Sequence, residues 1–331
     1  MSASPVVEAR GLRVLFPTRN GLDTVKAVDG VDFAVGKGET FGIIGESGSG
    51  KTTIGRAVVS LIAPTGGTIL HGGEDLRTLS RRAFRARRRA FQIIFQDPNA
   101  ALNPRRRILD SVIEPAAVAG LGDAASRRRL ALDMLARVGL PPEAGARFPH
   151  QLSGGQKQRV NIARVLTLRP DLIVCDESGA ALDVSIRGDV LNLLADLQRE
   201  FGLTYIFITH DISVVSHISD QVAVTYLGKF MELGPTERVV DAPLHPYTQA
   251  LLSAEPKPLP SALREDRRII LRGEIPSPVA PPSGCRFRTR CPSARALCAE
   301  AAPEWRELAR NHHVACHFAT SSGPPAPNDS A

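Results

Sequence analysis

At 331 residues, 43% of them apolar and 23% charged, the chain has the make-up of a globular protein with one large core and an appendage, which excludes disordered and collagen-like classes. No apolar stretch approaches the roughly 18 residues of a membrane-spanning helix, and Glu8, Arg10 and Arg13 come without a preceding hydrophobic signal region, so a cytosolic location is expected. The net charge of +7, from 41 Lys plus Arg against 34 Asp plus Glu, is spread evenly; it suits contact with phosphates or a membrane surface better than nucleic-acid binding, which concentrates its charge.

Apolar segments of strand and helix length alternate from residue 6 to about 253. Residues 40–44 read as a short buried strand that leads through a glycine-rich turn into an apolar-periodic helix over 51–61. Six arginines in 81–89 read as a solvated helical charge run, because aromatic interleaving is confined to Phe84 and Phe91. Further strands are expected at 91–95, 172–175, 205–208 and 222–226, separated by helical patterns such as 187–200. This alternation predicts a mainly parallel sheet covered by helices, an α/β fold. Between 99 and about 169 the strand signals stop and helical patterns such as 125–138 take over, which predicts a helical insertion. Beyond 253, seven prolines from Pro256 to Pro282 mark a linker over 254–284, followed by a cysteine-bearing module over 285–318 and a flexible tail over 319–331. No internal repeat is present.

The strongest local signal is Gly45-Glu46-Ser47-Gly48-Ser49-Gly50-Lys51-Thr52, which fits the phosphate-binding pattern GxxxxGK[ST] between a strand and a helix. Glycines let successive N–H groups point at phosphate oxygens, and the helix starting at Lys51 directs its positive end at the same anion. Lys51 is placed to neutralise β- and γ-phosphate charge, and the Thr52 hydroxyl to ligate Mg²⁺. The strand at 172–175 ends in Asp176-Glu177, at the carboxyl edge where open α/β sheets bind ligands. Such an acidic pair alone also serves as a cap or turn. With the phosphate loop present, Asp176 suits a Mg²⁺ partner and Glu177 a base that polarises the attacking water.

Leu152-Ser153-Gly154-Gly155-Gln156 precedes that acidic strand, Gln96 ends an apolar strand upstream, and His210 follows the strand at 205–208. Ser153 can cap the next helix, and the glycines leave its first N–H groups open, which makes a second anion site. In order and spacing the set resembles the signature, Q-loop and H-loop of ATP-binding cassette (ABC) ATPases, over about 6–253. The resemblance implies an ABC-type P-loop fold with an antiparallel N-terminal β portion, a helical subdomain at about 99–169, and ATP and Mg²⁺ as ligands. It implies that Ser153, Gly154, Gly155 and Gln156 act in trans on the nucleotide of a companion cassette, and that Asp183 of the D-loop ties the halves together. It gives Gln96 the sensing of Mg²⁺ and His210 that of the γ-phosphate. It makes Phe16 the aromatic that stacks on adenine, although residues 18–25 lengthen the spacing to the loop.

The segments Phe95-Gln96-Asp97-Pro98-Asn99, Ala181-Leu182-Asp183-Val184-Ser185 and His245-Pro246-Tyr247-Thr248-Gln249, with the tail from Gly273 through Cys316, are similar to the ATPases of bacterial oligopeptide and dipeptide importers. Gly50-Lys51-Thr52-Thr53 with Cys175-Asp176-Glu177 is closer to the second, F-type subunit. The resemblance therefore implies an ATP-hydrolysing subunit powering import of peptides or similar solutes. Its partners would be a second homologous ATPase, in a heterodimer rather than a homodimer, two integral permeases and, indirectly, an extracytoplasmic solute-binding protein. Its place would be peripheral, on the cytoplasmic membrane face, with no nucleic-acid partner. An ABC-type ATPase acting on nucleic acid or ribosomes, or a non-hydrolysing regulatory cassette, is the competing expectation. One departure stands out: where the family carries Pro after the catalytic Glu, this chain has Ser178-Gly179, a less preorganised loop, with hydrolysis expected to persist.

Five cysteines in a reducing compartment are not expected to pair as disulfides. Cys175, inside an apolar strand, reads as a small buried hydrophobe. Cys285, Cys291, Cys298 and Cys316 are separated by five, six and seventeen intervening residues, which does not match the paired CxxC of a zinc ribbon. The resembling importers associate this tail with an iron–sulfur cluster, and four thiolates suit [4Fe–4S]. Zinc, with His312, His313 or His317 as substitute ligands, and unliganded thiols stay open.

Overall fold

The computed structural model describes residues 4–18, 20–176, 184–255 and 269–325, with 184–187 described by backbone alone. Glu177, the Ser178-Gly179 departure and Asp183 therefore lie outside the described residues.

A hairpin opens the chain, β1 (Val7–Pro17) against β2 (Thr24–Val35), and with β4 (Gly66–His71) and β5 (Glu74–Asp75) it forms an antiparallel sheet in the order β2-β1-β4-β5. Apolar residues alternate inward along β1, as Val7, Ala9, Leu12 and Val14, because only one face of this sheet is covered. Within the stretch that lengthens the spacing after Phe16, Thr18 N–H donates to the Asp23 carbonyl at 2.9 Å, and Thr24 and Val25 already belong to β2.

The second sheet holds β3 (Thr40–Ile44), β6 (Phe91–Ile94), β7 (Leu172–Asp176), β8 (Thr204–Ile208), β9 (Gln221–Tyr226), β10 (Lys229–Pro235), β11 (Arg306–Ala309) and β12 (His312–Val314), in the order β11-β12-β10-β9-β3-β8-β7-β6. The run from β9 to β6 is parallel, and β3, β7 and β8 are buried at every residue, as continuous apolar strands covered on both faces must be. β10 returns antiparallel on β9, and β12 and β11 continue that edge. The cysteine-bearing segment thus adds two strands to the core sheet, with Leu233 opposite His313; nothing in its composition signals that pairing.

Helix α1 (Lys51–Val58) follows β3, and α2 (Arg81–Arg88) is capped by Ser80. α1 stops three residues short of the expected end because Ser60 turns left-handed, at φ 57°, ahead of Pro64. Between β6 and β7 stand α3 (Ile108–Val118), α4 (Ala124–Arg137) and α5 (Gly154–Leu166), the expected helical insertion. It is packed through Ile108, Val112, Leu135, Val160 and Ile162, all below 1% exposed. α6 (Val184–Phe201), α7 (Ile212–Ile218), α8 (Thr236–Asp241), α9 (Pro246–Ser253) and α10 (Leu297–Glu300) complete the chain. Cys285, Phe287 and Cys298 join Tyr226, Met231 and Tyr247 in one apolar cluster, so the C-terminal segment packs as part of the core.

Candidate functional site

The turn from β3 into α1 is set by glycine. Gly45, Gly48 and Gly50 have φ of 149°, 77° and 102°, in the region that side chains disfavour. A Cβ on Gly45 would stand 2.2 Å from the Thr225 carbonyl oxygen, and one on Gly50 2.1 Å from that of Ala27. The backbone is thus pressed onto its supports at both ends, while Gly48 faces open space. Lys51 Nζ donates to the Gly45 and Glu46 carbonyls at 2.8 and 2.9 Å, crossing the loop from below. Ser49 Oγ is buried and has no hydrogen-bond partner among the described residues, a donor aimed into a loop that an oxyanion would satisfy.

Thr52 Oγ1 donates to Asp176 Oδ1 at 2.8 Å, which joins the first turn of α1 to the end of β7. Asp176 is 4% exposed. A hydroxyl and a carboxylate, both hard oxygen donors, fit a Mg²⁺ ion, which would supply charge neutralisation to a bound triphosphate. Gln96 and Asp97 line the same cavity of about 690 Å³ as Thr52 and Asp176. His210 is exposed just beyond β8, where Asp211 caps α7. Phe16, 37% exposed, pairs with Val25 at the turn end of the hairpin. Thr53 lies on the first turn of α1.

Ser153 caps α5 in a reciprocal box: its Oγ accepts from Gln156 N–H at 3.3 Å, and its own N–H donates to Gln156 Oε1 at 3.1 Å. Ser153 and Gly154 are exposed at that helix end, and Gly155 is buried. Along α5, three side chains at helical spacing grip the segment that follows Gln96. Lys157 Nζ donates to Asn99 Oδ1 at 2.8 Å, Asn161 Nδ2 to the Pro98 carbonyl at 3.3 Å, and Arg164 to the carbonyls of Ala101 and Ser111. Asn161 and Arg164 belong to no motif; their i, i+4 and i, i+7 spacing from Lys157 was the available signal.

A fourth group comes from the C-terminal segment. Arg290 forms a bidentate ion pair with Glu46, and Tyr247 Oη accepts from Glu46 N–H at 3.0 Å. Neither partner was legible from the sequence, because both contacts bridge more than 200 residues.

The four C-terminal thiols sit close enough to influence one another. Burial pushes Cys285 up to about 11 and Cys291 up to about 12, and the neighbouring thiols add to both shifts; Cys316 is also pushed up by burial. Among the described residues, however, no group of three or more His, Cys, Asp or Glu is arranged to hold a metal ion. The expected substitute histidines are engaged elsewhere. His312 Nε2 pairs with buried Glu232 at 2.7 Å, His317 Nε2 meets the Ala301 carbonyl at 2.9 Å, and His313 stacks on Trp305. Cys175 is fully buried in β7, as expected.

A glycine-pinned loop on a helix N-terminus, with its lysine and an acidic strand end, defines a P-loop nucleoside-triphosphatase. Two family profiles match: "ABC transporter" over residues 28–180 and "Oligopeptide/dipeptide transporter, C-terminal region" over 231–298. The oligopeptide transport ATP-binding protein AppF of Bacillus subtilis is 50% identical, over 95% of this chain and 97% of its own. The dipeptide transport ATP-binding protein DppF of Haemophilus influenzae is 45% identical, over 95% and 96%. Among solved structures, the dimeric cassette MJ0796 in a post-hydrolysis state with ADP and Pi superposes with a TM-score of 0.63 at 29% identity, over 70% of this chain and 98% of that one. The chain belongs to the ATP-binding cassette family, as an ATPase of the oligopeptide/dipeptide importer group. No helix among the described residues is long and apolar enough to cross a membrane.

Proposed function

We propose that this chain hydrolyses ATP to power import of peptides or similar small solutes through a membrane complex. The observation that carries the reading is the Thr52–Asp176 contact at the head of a loop that Lys51 Nζ spans and in which Ser49 Oγ is buried without a partner among the described residues. Lys51 and the loop N–H groups bind the triphosphate, Thr52 and Asp176 hold Mg²⁺ with Gln96 beside them, and His210 meets the γ-phosphate. Glu177 activates water, and Asp183 braces the dimer; these two roles rest on the family resemblance alone. Phe16 stacks on adenine. Ser153, Gly154, Gly155 and Gln156 close over the nucleotide of a companion cassette, a role supported by their exposed helix end and by the dimeric neighbour.

The companion is a second, related ATPase; both lie at the cytoplasmic face of the membrane, and two integral permeases supply the pore. ATP binding closes the cassettes and shifts the permeases between facing states. The solute is chosen by the permeases and an extracytoplasmic binding protein. A shared [4Fe–4S] cluster, before zinc, on Cys285, Cys291, Cys298 and Cys316 rests on the family resemblance alone, since no group of three or more metal-ligating side chains is arranged for it among the described residues. Iron and sulfide analysis of anaerobically purified protein decides between these two and free thiols.

The test of the main reading is ATP turnover by the complex in liposomes, with peptide and binding protein present. Wild type turns over ATP and accumulates peptide, and Lys51→Ala does neither. Turnover stimulated by RNA or DNA instead of peptide would overturn the transport reading.

A further inference from the structure

Glu46 is the first variable residue of the phosphate loop and its only acidic one, and it is held from outside the loop. Arg290 Nη1 meets Glu46 Oε2 at 2.6 Å and Nη2 meets Oε1 at 3.0 Å, a planar fork that a lysine cannot reproduce. The Arg290 side chain is 9% exposed and lies 5.9 Å from the Tyr226 ring centre. Four residues earlier, Arg286 donates to the Leu227 carbonyl and to Asp29 Oδ2. That turn supports the same loop, because Gly228 N–H donates to the Ser49 carbonyl at 2.9 Å and Asp29 N–H to that of Gly228 at 2.8 Å. Between the two arginines, fully buried Phe287 packs on Tyr226 and Tyr247, with centroids 5.4 and 5.2 Å apart. Residues 286–290 therefore support the loop at both of its ends.

We propose that Arg290 is a positioning residue for nucleotide binding, and that with Arg286 it makes the C-terminal segment part of the ATP site. The inference rests on the ATP-binding reading above and adds to it a component from outside the cassette core. Two effects act together. The fork fixes Glu46, and with it the backbone N–H groups that follow, in one geometry. It also neutralises a carboxylate that would otherwise repel a polyanionic ligand across a short distance. Since Arg290 acts through Glu46, its loss weakens binding and leaves the chemical step in place.

The experiment is equilibrium binding of Mg·ATP to the full-length chain, with steady-state turnover of the assembled complex. Arg290→Ala is expected to weaken binding about tenfold, the scale of one charge-assisted hydrogen-bonded pair, and to raise KM while kcat stays within about twofold. Arg290→Lys, which keeps the charge without the fork, should fall between the two. In a Glu46→Ala background, Arg290→Ala should add less than about twofold, because the partner is already gone. Arg290→Ala binding ATP like wild type, or losses that multiply in the double variant, would overturn the inference and leave the ATPase reading intact. A wild-type chain that binds no ATP overturns both. If Arg290→Ala does not fold, Arg290→Lys carries the test: unchanged affinity overturns the inference, and a raised KM at constant kcat supports it.

Discussion

Thr52 and Asp176, 124 residues apart in the chain, meet through a 2.8 Å hydrogen bond between Oγ1 and Oδ1. Two parallel strands, β3 and β7, flank β8 and bring the first turn of α1 to the carboxylate that ends β7. Asp176→Asn keeps the shape and removes the charge. The expected result is turnover reduced by about 100-fold or more, a scale typical of lost electrostatic stabilisation at a phosphoryl-transfer site, with Mg²⁺ no longer improving ATP affinity. Titrating ATP with and without Mg²⁺ checks this.

The grip of α5 on the segment after Gln96 gives a stability prediction. Arg164 is largely buried, burial lowers its pKa, and it serves the carbonyls of Ala101 and Ser111 together. Arg164→Ala leaves both acceptors unpaired and should cost about 2–3 kcal/mol, the usual price of a lost buried charge-assisted hydrogen bond. A shift in the urea midpoint at unchanged slope measures it.

Glu232, fully buried in β10, accepts from Leu244 N–H at 2.8 Å, His245 N–H at 2.9 Å and His312 Nε2 at 2.7 Å. It joins the entry of α9 to strand β12. Glu232→Ala orphans all three donors, and a loss of about 3–5 kcal/mol is expected, as for other buried pairs broken on one side. Denaturant unfolding of the variant against wild type reads it directly; a loss below about 1 kcal/mol would show that the tail does not depend on this contact.

His71 and His245 are both lowered from 6.5 to about 4, chiefly by burial. Unfolding releases them to bind protons near 6.5, whereas the folded protein resists protonation until about 4. Stability contributed by their neutral forms is therefore full above pH 6.5 and is lost as pH falls toward 4, by up to ~3 kcal/mol for each histidine. His71, whose ring centre lies 3.8 Å from that of Phe91 with the planes tilted by 34°, can be replaced by leucine. His71→Leu should flatten the fall in stability between pH 6.5 and 4, as read from unfolding midpoints along that range; an unchanged slope would contradict the assignment.

What could be read in advance was local. The phosphate loop, the capping box of Ser153 and Gln156, and the all-apolar strands are each written within a few residues, where periodicity and glycine placement speak directly. The end of α1 was not, since the left-handed turn at Ser60 is a tertiary accommodation. Nor was the role of the tail. Proline density marked where regular structure stops, but β12 pairing with β10 and Arg290 reaching Glu46 are contacts between distant segments. The cysteine spacing indicated a cluster of thiols and left their ligand open, and His312 was drawn away from it by the buried carboxylate of Glu232.

The central claim is that two surfaces, the loop around Lys51 and the α5 end at Ser153, act on nucleotide from different subunits. Ser153→Arg places bulk and charge on the exposed α5 end. Measured together, ATP affinity of the isolated chain and ATP turnover of the assembled complex separate the two surfaces. The account predicts unchanged affinity with turnover reduced by at least about 100-fold. Full turnover, or affinity and turnover lost in the same proportion, would contradict it.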